Sequence, residues 1–179
     1  MERTHNAARP TNRPALRLYS NEERARRDAT RWTMVQGVLA PLQFVVFGIS
    51  LVLVLRYMIT GEGWAAANVS FIVKTLLLYT IMVTGSIWEK VVFGRWLFAP
   101  AFLWEDVVSM LVIALHTVCI LTMITGWLLP RDQMLLALAA YAAYVINAAQ
   151  FVLKLRAARR QEAAVVEEPS GAGRLEAAT

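Results

Sequence analysis

Five ionisable residues lie close together in a strongly apolar part of the chain: Glu89, Lys90, Arg95, Glu105 and Asp106, within WEKVVFGRWLFAPAFLWED at 88–106. Trp88, Phe93, Trp96, Phe98, Phe102 and Trp104 are interleaved with them, and a long apolar run lies on each side. A charge at the edge of a hydrocarbon layer is costly and is usually retained for a purpose. Three carboxylates near one depth repel when all are ionised, so the set is expected to hold a proton. A carboxyl that carries a proton, beside one that does not, is what general acid–base chemistry needs. Glu89, Glu105 and Asp106 are therefore the candidate catalytic groups. The structural alternatives are a salt-bridged cap in which Lys90 and Arg95 neutralise the carboxylates, and a helix start favoured by its dipole.

The elements that must position these residues are membrane-spanning helices. The chain has 179 residues, of which 58% are hydrophobic, too apolar for an ordinary soluble domain. Four runs are long enough to cross a bilayer, at about 20 residues each. They cover about 34–57, 68–88, 104–127 and 134–154. The expected fold is all-α: an integral membrane four-helix bundle with an interfacial or re-entrant aromatic segment between the second and third spans. Gly94 and Pro100 interrupt that segment, and backbone there must be covered by protein or ligand. The basic amino-terminal segment, 1–31, carries eight arginines. Ser20 with Glu23 forms a capping-box pattern that opens a short surface helix over 21–30. No signal peptide is expected, because no small-residue cleavage site follows the first apolar run. The membrane domain occupies 32–155. Residues 156–179 read as a disordered tail. Arg156, Arg159 and Arg160 follow Lys154, so both ends are basic, and positive charge places both termini and the 90–103 connection in the cytoplasm. Nucleic acid is not an expected partner, since the basic stretch lacks interleaved aromatics.

Further candidates lie deeper. Glu105, Ser109, Val112 and His116 share one helical stripe, with Glu105 and His116 about 16 Å apart along the axis. Tyr79 and Tyr144 fall near the depth of His116. The plain reading of His116 is an interhelical hydrogen bond. The functional one is a proton relay or an axial ligand to a metal held by a bound tetrapyrrole. Lys74 falls toward the outer side, where snorkelling explains it. Gln36, Gln43, Ser50 and Tyr57 form a seam at sevenfold spacing, and Tyr141, Tyr144, Asn147, Gln150 and Lys154 a second polar set; both read as interhelical glue. The single Cys119 excludes an intrachain disulfide, a cysteine zinc site and an iron–sulfur cluster held by this chain alone. Trp88, Trp96, Phe98 and Trp104 with Lys90 and Arg95 suit a flat apolar ligand that bears a carboxylate.

The run WEKVVFGRWLFAPAFLWEDVVSMLVIALHT, with TMVQGVLAPLQF and VKTLLLYTIMVTGSIWEK upstream of it, resembles the 3-vinyl (formerly 2-vinyl) bacteriochlorophyllide hydratase family. The likeness covers about 18–155 and departs mildly at Leu103, where an aromatic is usual. The resemblance implies an integral membrane enzyme of bacteriochlorophyll synthesis. It would add water to the C3-vinyl group of chlorophyllide a, or of a related vinyl bacteriochlorophyllide, to give the 3-(1-hydroxyethyl) derivative. No cofactor is implied, since the magnesium belongs to the substrate. The implied setting is a bacterial inner or intracytoplasmic membrane, with a chlorophyllide-type substrate, the lipid bilayer and other pigment-synthesis enzymes as partners. The alternative is a non-catalytic tetrapyrrole carrier or assembly scaffold, which needs aromatic walls but no acid–base pair.

Overall fold

A computed structural model describes residues 18–167. They form five helices: α1 (Asn21–Ala29), α2 (Arg31–Thr60), α3 (Trp64–Phe93), α4 (Leu103–Thr125) and α5 (Pro130–Glu167). The capping box at Ser20 is present, with Glu23 N–H donating to Ser20 Oγ at 3.2 Å and Ser20 N–H to Glu23 Oε2 at 2.7 Å. Thr30 ends α1 and caps α2. Gly94 closes α3 at φ 78° and Gly126 closes α4 at φ 66°, a backbone region that costs glycine nothing.

Helices α2 to α5 are each long and apolar enough to cross a membrane. They pack as a closed ring. Gln36–Thr84 and Ser50–Ser70 contacts, both 2.8 Å, join α2 to α3. Asn147–Ser109 at 2.8 Å joins α5 to α4, and Tyr141–Ser50 at 2.6 Å joins α5 to α2. Between α3 and α4 the backbones stand further apart, and long side chains bridge them: Lys74 to His116 and Tyr79 to Thr117. An apolar cleft of about 210 Å³ opens there, lined by Leu76, Tyr79, Ile120 and Met123 among others. Outward positions such as Val45, Val52, Val69, Leu76, Leu121 and Ile146 are exposed apolar residues, the surface a bilayer covers.

Three sequence expectations change. The amino-terminal helix does more than lie on a surface: it caps the bundle end, with Arg26 Nε donating to Val92 O at 2.9 Å and Tyr19 stacked on Phe93 at 5.7 Å. Helix α5 runs on to Glu167 through residues first assigned to the tail, because Ala, Leu, Arg and Gln are good helix formers. The rest of that tail lies outside the described residues. Lys74 does not snorkel. It is fully buried, since it shares the inward stripe of Ala67, Phe71 and Leu78 on α3.

Candidate active site

The end of the bundle that carries α1 also gathers the acids. Glu89 sits in the last turns of α3; Glu105 and Asp106 sit in the first turn of α4. The helices are antiparallel and the connection between them is short, so the three carboxyls reach one level. All three are buried, at 6%, 8% and 3% exposure. The Glu89 and Asp106 carboxyls are neighbours. Two neighbouring carboxyls repel when both are ionised, and one proton held between them would relieve that repulsion. Glu105 is held differently: Lys154 Nζ donates to its Oε2 at 2.6 Å.

The connection over 94–102 completes the arrangement. Phe98 has φ 59°, the left-handed region that a bulky residue rarely adopts. That turn aims two successive amides at the acids: Phe98 N–H donates to Asp106 Oδ2 at 2.8 Å, and Ala99 N–H to Glu89 Oε2 at 3.3 Å. Local backbone strain of this kind persists where the surroundings over-determine it. Ala99 and Phe102, both within the connection, are buried, as backbone at membrane depth requires cover from protein.

An aromatic cluster lines this end. Phe102 stacks on Phe151 at 5.9 Å and meets Trp88 and Phe93 edge-on at 5.8 Å each. Trp88 Nε1 donates to Thr33 Oγ1 at 3.0 Å, so Trp88 is turned inward. Trp96, Phe98 and Trp104 are exposed around the rim. Lys90 donates to Gly94 O at 2.9 Å, and Arg95 is exposed. Among the described residues neither forms an ion pair with the carboxylates; the cation beside them is Lys154. Lys154 was read as glue in the sequence, although its place seven residues beyond Asn147 on the inward stripe of α5 was a usable signal.

His116, Tyr144 and Tyr79 form no part of this acid cluster. His116 is fully buried. Its Nδ1 lies 2.7 Å from Val112 O and must donate there, so Nε2 accepts from Lys74 Nζ at 2.6 Å. The ring stacks on Phe71 at 5.3 Å, and Lys74 Nζ lies 4.0 Å from the Tyr144 ring centroid. Both ring nitrogens are thus engaged, and ligation of a chlorin magnesium would require Lys74 to withdraw. Tyr79 instead donates to or accepts from Thr117 Oγ1 at 2.7 Å, at the α3–α4 cleft.

Fold and site together define a helical membrane protein with a pair of buried, neighbouring acids near an aromatic rim. The family model for 2-vinyl bacteriochlorophyllide hydratase matches residues 19–157, and the chain belongs to that family. It is 64% identical over 155 residues to a 2-vinyl bacteriochlorophyllide hydratase of Rhodobacter capsulatus, covering 86% of this chain and 90% of that one. It is 68% identical over 147 residues to its counterpart in Cereibacter sphaeroides, covering 82% of this chain and 91% of that one. No solved structure matches the chain.

Proposed function

We propose that this hydratase adds water to the C3-vinyl group of chlorophyllide a, or of a related vinyl bacteriochlorophyllide, to give the 3-(1-hydroxyethyl) pigment. The observation that carries this reading is the buried Glu89–Asp106 pair, two neighbouring carboxyls held by successive amides beside a Glu105 that Lys154 pairs separately. Hydration of a vinyl group needs a proton on its terminal carbon. The cation then forms on the carbon next to the ring, where the macrocycle delocalises it. Water attacks that carbon, and a base takes the proton the water releases. The protonated member of the pair serves as the acid and its partner as the base, which is the division of roles that adjacent carboxyls support. The ionised member of the pair also stabilises the developing cation electrostatically, since the charge of Glu105 is offset by Lys154. Phe98 and Ala99 amides hold the pair in place.

The flat pigment lies on the aromatic rim of Trp96, Phe98 and Trp104, and Lys90 and Arg95 meet its carboxylate. Trp88 supports that floor from within. The chain itself supplies no cofactor to this chemistry; the magnesium arrives with the substrate. The protein resides in a bacterial inner or intracytoplasmic membrane with both termini and the acid end in the cytoplasm. There, further enzymes of pigment synthesis can take up the product. A carrier or scaffold would need the same aromatic rim but no paired acids.

The test is direct. Membranes containing the protein, incubated with vinyl chlorophyllide, should yield a pigment heavier by one water, with its red absorption band shifted to the blue. A pigment that binds and returns unchanged would favour the carrier.

A further inference from the structure

Beneath the acids, the bundle interior holds a second polar layer with bonds to spare. Gln43 on α2 and Asn147 on α5 are 2% and 8% exposed. Among the described residues, neither amide atom of Gln43 has a hydrogen-bond partner, nor has Oδ1 of Asn147. The helix register brings them to one level. Ser50 meets Tyr141, Phe47 packs on Tyr141 and Tyr144, and Phe44 lies against Tyr144. One further step along the antiparallel pair sets Gln43 opposite Asn147, both on buried stripes. Asn147 Nδ2 donates to Ser109 Oγ at 2.8 Å, and Ser109 lies one turn beyond Asp106 on α4. Gln150, half-buried and one turn nearer the acids on α5, has an unpaired Oε1 as well.

Buried polar atoms are satisfied almost without exception, so these atoms point to a ligand. However the amides are turned, both donors and acceptors stand open. A carbonyl only accepts and cannot meet them. Water donates twice and accepts twice, and a buried water makes about three hydrogen bonds to groups of this kind.

We infer that Gln43 and Asn147 hold water inside the bundle, and that this water is the store from which the acid set draws its nucleophile. The inference rests on the hydratase reading. A macrocycle seated on the rim covers the acids from the cytoplasmic side, so the reacting water must come from beneath. Ser109 and Gln150 mark the way from the store to Asp106. The step balances: the acid gives its proton to the terminal vinyl carbon, the stored water's oxygen bonds to the inner carbon, and the proton it sheds returns to the carboxylate pair. Gln43 and Asn147 are positioning residues.

The experiment replaces Gln43 by Met, and Asn147 by Leu in a second variant, in the full chain, and runs hydration of vinyl chlorophyllide in D2O. Two quantities are read: product formed, and deuterium in the recovered vinyl pigment. Deuterium enters when the acid protonates the vinyl carbon and the cation reverts before capture. With the store lost, capture slows while protonation continues. Hydration should then fall about tenfold or more, as expected when a positioned reactant becomes a random one. KM for the pigment should stay unchanged, and deuterium per product should rise. A purely structural role predicts unchanged hydration, because among the described residues Gln43 has no hydrogen-bond partner to lose and Met fills its space. Unchanged hydration, or hydration and exchange falling together, would overturn the store. If the unmodified protein fails to hydrate the vinyl pigment at all, the functional reading falls first and the store with it.

Discussion

The bundle buries ionisable groups in two places, and they are built differently. In the middle, Lys74 and His116 saturate one another: the imidazole gives its only proton to Val112 O and takes one from Lys74, with Phe71 and Tyr144 closing over both. At the α1 end, Glu89 and Asp106 set two carboxyls side by side, each held by one amide of a strained connection near an exposed aromatic rim. Burial alone therefore does not mark a site in this molecule. What separates the two places is spare capacity: the acid pair can give or take a proton without losing its last partner, and the lysine–histidine pair cannot.

That contrast can be broken by substitution. The largest effect is expected from Asp106→Asn or Glu89→Gln. Each keeps the shape and removes proton transfer, and each should lower hydration by about 10²-fold or more while pigment binding persists; steady-state kinetics with a binding titration reads both. Next comes Lys154→Met. It leaves Glu105 as a buried charge without its partner, a loss worth about 3–5 kcal/mol in a fully buried pair and less here, since Lys154 is partly exposed. The thermal midpoint should drop, and adding Glu105→Gln should restore the midpoint but not the hydration rate. A smaller effect is expected at the sealed pair. Lys74→Met leaves His116 Nε2 without its donor, a cost of about 1–3 kcal/mol in stability that does not touch the acids. Its kcat should change by less than about tenfold, or ~1.4 kcal/mol. A collapse of hydration in Lys74→Met with the fold intact would erase the contrast. Finally, cysteines introduced at Glu62, Arg131 and Trp96 should divide by side: the first two label from outside and the third from the cytoplasm, as the positive-inside rule requires. The native Cys119 is buried and gives little background.

Much of the fold was legible because four long apolar runs admit few other arrangements. Their ends were not: α2 extends from Arg31 to Thr60 because Thr30 and Gly61 cap it beyond the apolar run. Depth was legible too, since helical rise alone places Glu89 level with Glu105 and Asp106. Facing was harder. By depth alone Lys74 falls toward the outer side, but its stripe with Phe71 turns it inward; Lys154 suits interhelical glue by type, yet it faces Glu105. The amides of Phe98 and Ala99 could not be foreseen, because a phenylalanine in the left-handed region is what local preference argues against.

The central claim is that Glu89 and Asp106 work as one proton-sharing unit. A double-mutant cycle on hydration tests it most directly: Glu89→Gln, Asp106→Asn and the two combined, each assayed for turnover of vinyl chlorophyllide at saturating pigment. Groups that act as a unit are strongly non-additive. The account predicts that the double variant is no slower than the slower single one. Losses that multiply, or a single variant with near-normal turnover, would contradict it.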